Sequence, residues 1–313
     1  MAIQTEVWVR DIEEKLFAGN EFVKNSISHD AFVDNLTVHI PQAGTIPAVQ
    51  KNRAVFPATI TQRTDTDRTY NLAEYTTDPI LIRDLEETQT SYPKRSSVMD
   101  HHIRKINDRL GLEALNVWAG TGVYSSTNTT GQIVLSTGTA ATSLRPPSST
   151  LALKGVTLAD MEVAAAKLSN DDVPIEGRYM VMPAFVYYNF VEANKATLLS
   201  LDFQGGRTAS DIAMGIVAKV YGWNIIVRSY TVVYTDGATP TKKAVGAAAA
   251  ATDTWGCVGW QMDTVAKAKG AIKVYADNDK PEYYGSVISA KVDFAAAQLR
   301  DDAKGIVTIV LNT

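Results

Sequence analysis

The chain has 313 residues, of which 45% are hydrophobic and 20% are charged, a composition typical of globular rather than disordered or fibrous proteins. A net charge of −4 gives no overall basic character of the kind that free nucleic-acid-binding proteins have, and a single cysteine excludes an intramolecular disulfide framework. No run approaches the ~20 apolar residues of a membrane helix and residues 1–15 lack a signal pattern, so we expect no membrane partner and no secretion.

The first segment, Glu6 to Ala31, has apolar residues at helical spacing, which predicts one or two amphipathic helices. Such a segment is too short to enclose a core. We therefore expect its apolar stripe, with Trp8 and Phe17 as candidate contacts, to dock on the body or on another chain. Leu36 to Pro41 then predicts a short strand.

A polar hairpin is predicted next. Phe56 to Arg63 and Arg68 to Tyr75 alternate thinly between apolar and polar residues, and the stretch 64–67 between them (Thr-Asp-Thr-Asp) favours a turn. A two-stranded ribbon with so little apolar surface is marginal in water, so we expect an arm that lies on a neighbour. Its tip presents four charged candidate contacts: Arg63, Asp65, Asp67 and Arg68.

A long helix over Ser91 to Gly120 is the strongest periodic signal. One face carries Met99, Ile103, Ile106, Leu110, Ala114 and Val117. The other face is polar and includes Asp108. Its basic residues Lys94, Arg104 and Arg109 are either contacts for an acidic neighbour or part of a plain solvated face. The helix predicts a spine for the fold.

Helices and strands alternate after this helix without a regular repeat, which indicates an α+β fold. The residues Thr157 and Asp160 predict a capping box that opens a helix. Ile212 to Val220 is predicted as helical or turn-like, and Val287 to Leu299 with Gly305 to Leu311 as a closing hairpin. Predicted strands lie at 133–135, 179–182, 223–227, 255–261 and 271–275, with a short helix at 183–193.

The sequence gives no positive sign of an active site. Its four histidines lack metal-ligand spacing, Cys257 lies in an apolar strand without a nearby histidine, and phosphate-binding and nucleophile motifs are missing. We therefore expect no catalytic residue, no cofactor and no metal.

The order of the predicted elements resembles the major capsid protein of tailed bacteriophages, the Hong Kong 97-type capsid fold. The resemblance rests on Leu72 to Pro79 before the long helix, on Thr157 to Asp160, on Ile216 to Ser229 and on the tail from Tyr284 to Ile309. It covers nearly the whole chain, and the order is more specific than any single motif.

The resemblance implies four parts. Residues 1–35 would be an N-terminal arm and 36–90 an extended loop that overlaps an adjacent subunit. Residues 91–156 and 271–313 would form the peripheral domain with the spine helix, and 157–270 the axial domain.

The implied function is that of a structural protein, not an enzyme. It would assemble through hexamers and pentamers of itself, in the host bacterial cytoplasm, into an icosahedral virion shell around double-stranded DNA. Implied partners are a portal, a separate scaffolding protein and decoration proteins. Contact with DNA should be weak, given the pI of about 5.6. Two alternatives are an encapsulin-type nanocompartment shell of the same fold, and an enzyme with an unrecognised site in 157–270.

Two departures from the family pattern generate expectations. Many relatives begin with a cleaved scaffolding segment of about a hundred residues, whereas little precedes the arm here, so we expect a separate scaffold or none. Some relatives join subunits covalently through a lysine on the extended loop, but no lysine lies between Lys51 and Lys94.

We therefore predict a noncovalent shell. Assembled particles that are boiled in detergent should run on a denaturing gel as a single band of the 33.9 kDa chain. A ladder of oligomers would contradict this prediction.

Overall fold

The computed structural model describes residues 19–32, 36–44, 46–54, 56–58, 60–84, 94–194, 216–300, 302 and 304–313. These residues contain three α-helices: α1 (Lys94–Trp118), α2 (Leu158–Asn170) and α3 (Ala184–Ala193). The strands within them are β1 (Ile27–Ser28), β2 (Thr37–Gln42), β3 (Thr66–Asn71), β4 (Ala73–Thr76), β5 (Ile80–Arg83), β6 (Ile133–Leu135), β7 (Ala140–Ala141), β8 (Leu153–Lys154), β9 (Arg178–Pro183), β10 (Ile216–Val220), β11 (Trp223–Arg228), β12 (Val232–Thr235), β13 (Asp253–Gln261), β14 (Val265–Lys269), β15 (Lys273–Lys280), β16 (Gly285–Gln298) and β17 (Ile306–Val310).

A seven-stranded sheet forms the centre of the molecule. Its order is β10-β11-β9-β13-β17-β6, and β12 also pairs with β13. Every residue of β9 and of β13 is buried, because α2 and α3 cover one face of the sheet and α1 covers the other. Burial on both faces explains why these strands are continuous apolar runs rather than alternating ones.

A six-stranded sheet is built around the 14-residue strand β16. Its order is β1-β14-β16-β15, and β4 and β5 also pair with β16. Helix α1 packs between the two sheets, since Leu110, Ala114 and Trp118 share one apolar cluster with Val292 of β16 and Val258 of β13.

The spine helix is confirmed over Lys94–Trp118, within the predicted range. Its buried stripe includes Ile106, Leu110 and Ala114 as predicted, and it also includes Gly111. A Cβ on Gly111 would lie 2.1 Å from Oδ1 of Asn20, so this glycine allows the N-terminal segment to approach the helix closely. The capping box is confirmed as well: the backbone N–H of Asp160 donates to Thr157 Oγ1 at 3.2 Å, and that of Thr157 donates to Asp160 Oδ2 at 2.8 Å.

Two predicted segments are wrong in kind. The described residues 19–32 form two short 3₁₀ helices and the strand β1 instead of amphipathic α-helices. Residues 216–220, predicted as helical or turn-like, are the strand β10, which forms a hairpin with β11 through the turn at 221–222. Residues 6–18 and 212–215, the first parts of these two predictions, lie outside the described residues.

Two predicted strand pairings are also wrong. The strand β3 pairs with β2 instead of with 56–63, and the described part of 56–63 contains no strand. The predicted closing hairpin is divided between the sheets, because β16 pairs within the six-stranded sheet while β17 lies between β13 and β6. The domain bounds 1–35, 36–90, 91–156 with 271–313, and 157–270 stay a prediction, and the six-stranded and seven-stranded sheets each take strands from more than one of these ranges.

A buried ion pair joins the N-terminal segment, α1 and the seven-stranded sheet. Arg228 on β11, whose side chain is 1% exposed, donates from Nη2 to Asp108 Oδ1 at 3.0 Å. The same guanidinium donates to Asn20 Oδ1 at 3.2 Å and to the carbonyls of Gly19 and Tyr230. The hydroxyl of Tyr230 also donates to Asp108, so the carboxylate is satisfied inside the protein. Asp108, which was predicted on the polar face of the helix, is therefore buried within the chain instead.

Removing the carboxylate should destabilise the chain strongly. Asp108→Ala leaves the buried guanidinium of Arg228 without its counterion, and we expect a loss of about 3–5 kcal/mol in the free energy of unfolding. The measurement is urea unfolding of the unassembled chain. Lys105→Ala is the matched control, because Lys105 is exposed and its Nζ lies 3.9 Å from Asp108, so it should cost below ~0.5 kcal/mol. Equal effects of the two substitutions would contradict the prediction.

Candidate assembly surface

A two-stranded ribbon, β2 with β3, projects from the edge of the six-stranded sheet. The arm is fixed to the body at both ends of the ribbon. At one end, β4 and β5, which follow β3, pair with β16. At the end next to the loop, the Gln42 side chain donates to the carbonyl of Leu299 at 2.7 Å, and Arg68 donates to the carbonyl of Arg300 at 2.6 Å. Within the ribbon, the side chain of Val38 on β2 is buried. The ribbon is therefore held by the body and does not stand alone in water, which matters because an isolated hairpin is only marginally stable.

The loop between β2 and β3 carries four of the five most exposed large apolar side chains among the described residues. It contains no helix or strand among those residues, yet it carries four large apolar side chains that are between 75% and 96% exposed: Ile46, Val49, Phe56 and Ile60. Grouped exposed apolar side chains mark interaction sites rather than ordinary surface. We call these four residues the apolar loop. Sequence reasoning placed Phe56 and Ile60 in a strand and passed over Ile46 and Val49, because spacing alone does not show which apolar side chains stay exposed. Large apolar residues among prolines in a polar arm were a usable signal.

The four charged residues predicted at a hairpin tip lie elsewhere. Arg63 and Asp65 close the base of the loop: Asp65 Oδ1 accepts from Arg63 Nε at 2.5 Å and from the backbone N–H of Gly44 at 2.8 Å. Asp67 lies on β3 and pairs with His39 of β2 at 2.6 Å. Arg68 lies one residue further along β3. The stretch 64–67 is thus not a hairpin turn: residues 66–67 begin the strand β3, and residues 64–65 precede it.

The basic residues of the spine helix have different surroundings. Arg109 is engaged within the chain, since it donates to the carbonyl of Val245 at 2.8 Å and forms an ion pair with Glu113 at 2.8 Å. Lys94 is the first residue of α1 and is half-buried, and Arg104 is exposed. Trp8 and Phe17 lie outside the described residues. The role of all nine candidates as contacts between subunits stays a prediction.

The described residues contain no group of three or more His, Cys, Asp or Glu side chains placed to hold a metal ion. Cys257 is buried, and burial raises the pKa of its thiol, which keeps it protonated. An apolar pocket of about 290 Å³ lies between α1 and residues 230–255, where the polar side chains Lys243 and Asp253 already pair with each other at 2.7 Å. Among the residues that the structure describes, no helix has the length and apolar character needed to cross a membrane.

The arrangement of helices and strands in this chain is similar to that in several solved phage structures. The chain is similar to a chain of Mycobacterium phage Che8, with a TM-score of 0.63 and 16% identity over 98% of this chain and 97% of that one. It is similar to the capsid of the cyanophage P-SCSP1u, with a TM-score of 0.67 and 16% identity over 98% and 92% of the two chains. It is also similar to the capsid of Ralstonia phage GP4, with a TM-score of 0.65 and 10% identity over 99% of this chain and 96% of that one.

The chain has the Hong Kong 97-type capsid fold. No protein-family model matches the sequence, and neither does any curated protein. At identities of 10–16% the likeness lies in the arrangement of the elements, which is also where the sequence carried its resemblance. The capsid fold is thus confirmed over almost the full length of the chain, while the details of its extended arm differ from the sequence prediction.

The hydrogen bonds by which Asp65 joins the two ends of the loop should affect the titration of its carboxyl group. Two hydrogen bonds hold the pKa of Asp65 below its ordinary value: the one from Arg63 has the larger effect, and the one from the Gly44 amide has the smaller. Closure is therefore present above the ordinary aspartate pKa of about 3.9 and is lost as the pH falls through the lowered value. Arg63→Gln should raise the pKa of Asp65 in a carboxyl-carbon NMR titration. Arg53→Gln, which removes an arginine elsewhere in the same loop, should leave it unchanged. Equal pKa values in both variants would contradict this assignment.

Proposed function

We propose that the chain is a structural major capsid protein, which assembles copies of itself into a closed icosahedral shell around double-stranded DNA. The observation that carries the proposal is the match of nearly the whole chain to phage capsid chains, at TM-scores of 0.63–0.67. The comparisons favour neither a nanocompartment shell nor an enzyme. A virion location follows from the same proposal, as does a structural rather than catalytic role.

The apolar loop supports the proposal independently. Full burial of a large apolar side chain contributes roughly 1.5–3 kcal/mol, so four of them offer roughly 6–12 kcal/mol of gross interaction per arm. Ordering the loop and fixing the partner subtract from this sum. The remainder suits a contact that is weak singly and strong when repeated over a symmetric shell.

The arrangement of the arm fits the same function. The arm is bound to the body through β16 and through the carbonyls of Leu299 and Arg300, while the apolar loop is uncovered. We propose that the loop lies on an adjacent copy of this chain within or between hexamers and pentamers. A portal, a separate scaffolding protein and decoration proteins are the further partners that this function implies, and assembly would take place in the host cytoplasm.

Replacing two apolar side chains of the apolar loop by polar ones should prevent assembly without unfolding the chain. In Phe56→Ser with Ile60→Ser, both changes fall on exposed side chains, so we expect an unchanged circular dichroism spectrum and melting temperature. We also expect the loss of capsomers, tubes and shells, measured by light scattering and negative-stain microscopy. Thr61→Ser with Gln62→Ser is the matched control in the same loop, and it should assemble like the unmodified chain.

Two outcomes would count against the proposal. Normal assembly of the Phe56→Ser, Ile60→Ser variant would remove the loop from the contact. A compact monomer of the unmodified chain at every concentration, even with the products of neighbouring genes added, would contradict the capsid function itself.

A further inference from the structure

A cleft lined by basic side chains lies between the N-terminal segment, α1 and the six-stranded sheet. Its volume is about 400 Å³. Lys24 comes from the 3₁₀ helix at Glu21–Lys24, Arg104 from α1, and Lys267 and Lys269 from β14. We call this the basic cleft, and it is a local reversal of charge in a chain whose net charge is −4.

Among the described residues, two of the three carboxylates near the cleft already accept hydrogen bonds. Asp108 lies at the wall, but its carboxylate is already bound to Arg228 and Tyr230. Glu21 and Asp30 are the other nearby acids: Glu21 lines the cleft, and Asp30 accepts the backbone N–H of Lys269 at 2.7 Å. Among the described lining residues, four basic side chains therefore lie beside only the carboxylates of Glu21 and Asp108. Within the cleft, Lys269 also donates from Nζ to Asn107 Oδ1 at 3.1 Å.

The two lysines on β14 are placed together by the strand. They are two residues apart, so their side chains project from the same face. Burial lowers the pKa of Lys267, and repulsion from Lys269 and Lys24 lowers it further, while Asp30 acts in the opposite direction. Burial also lowers the pKa of Lys269, again against Asp30. An anion in the cleft would relieve the repulsion between these ammonium groups.

The lining favours nucleic acid over protein as the source of that anion. Protein interfaces are built on exposed aromatic and aliphatic side chains and are depleted in lysine. Here three lysines and an arginine line the cleft, and its large apolar members Leu110 and Phe294 are buried core residues. Nucleic-acid surfaces, in contrast, combine Lys and Arg with little apolar exposure, because the phosphates supply the binding energy.

We propose that the basic cleft binds backbone phosphates of the enclosed DNA and that it marks the face of the chain that lies toward the interior of the shell. This inference rests on the proposed capsid function and adds the surface through which the chain meets its contents. Binding there is independent of base sequence, because point charges on flexible lysines contact phosphate and not base edges.

The test is the salt dependence of DNA binding by the full chain. The probe is a fluorescently labelled 20-base-pair duplex of arbitrary sequence, followed by anisotropy between 50 and 200 mM salt. Each phosphate contact contributes about 0.9 to the slope of log K against log salt concentration. Lys267→Gln with Lys269→Gln should therefore reduce the slope by about 2, and lower the affinity at 50 mM salt roughly tenfold.

Two further variants keep the test decisive. Arg104→Gln changes an exposed residue of α1, so it should fold normally and reduce the slope by about 1. Lys154→Gln with Lys273→Gln removes the same charge as the double variant outside the cleft, and it should leave the slope unchanged. Melting temperatures and particle formation are measured in parallel for every variant.

The outcomes separate this inference from the proposed function. Equal slopes for the unmodified chain and the cleft variants overturn the inference even when shells form. Loss of assembly with unchanged DNA binding also overturns it, because the cleft would then bind an acidic surface of a neighbouring chain. Failure of the unmodified chain to assemble bears on the capsid function alone, since the slope is measured on the chain whether or not it assembles.

Discussion

The buried pair of Arg228 and Asp108 fixes how the main parts of the chain meet. A guanidinium taken out of water loses several kcal/mol of solvation, and only good hydrogen bonds offset that loss. Here the side chain of Arg228 has four acceptors, and its planar group also lies over the ring of Tyr230, with 4.6 Å to the centroid. Burial lowers the pKa of Arg228, while Asp108 and Tyr230 act to raise it. Because those acceptors come from three separate segments, the pair specifies one arrangement of them more than it adds stability.

That arrangement determines where the surfaces of the molecule lie. The N-terminal segment is held against α1 by the hydrogen bonds of Asn20 and by Phe22, which packs edge-on against Trp118 and Trp260. Once this segment is in place, it forms one wall of the basic cleft. On the other side, β16 holds the base of the arm through β4 and β5. A rigid centre thus presents two chemically different surfaces, one apolar on a loop and one cationic in a cleft.

The sequence predicted those features that depend on neighbours within a few residues. The helical period located α1, and Thr157 with Asp160 located the start of α2, because both signals are local. Strand partners were predicted wrongly for β3 and for β17, since a period of two indicates which face is buried but not which strand lies alongside. Asp108 was misplaced for a related reason: its partner Arg228 is 120 residues away, and nothing near Asp108 in the sequence indicates that partner.

Residue type in the sequence also failed to identify which side chains are available to a partner. Nine charged or aromatic residues were selected by type, yet Asp65, Asp67 and Arg109 turn out to make contacts within their own chain. Charge alone does not separate a residue that holds its own loop from one that awaits a partner. The apolar loop is distinguished instead by exposure, which is a property of the folded chain. Sequence therefore gave the architecture in outline, while the surfaces needed the tertiary structure.

The separation of apolar and cationic surfaces suits a protein that must assemble before it meets its contents. A net charge of −4 disfavours tight binding of nucleic acid by single free chains, whereas a few cations in one cleft give a weak, salt-sensitive contact. In a closed shell the same contact would be repeated in every copy, and many weak contacts to one long polyanion act together through their high effective concentration. Assembly through the apolar loop would thus create the strong interaction with DNA that no single chain possesses. A more basic cleft would lose this advantage, because individual chains would then bind nucleic acid before the shell had formed.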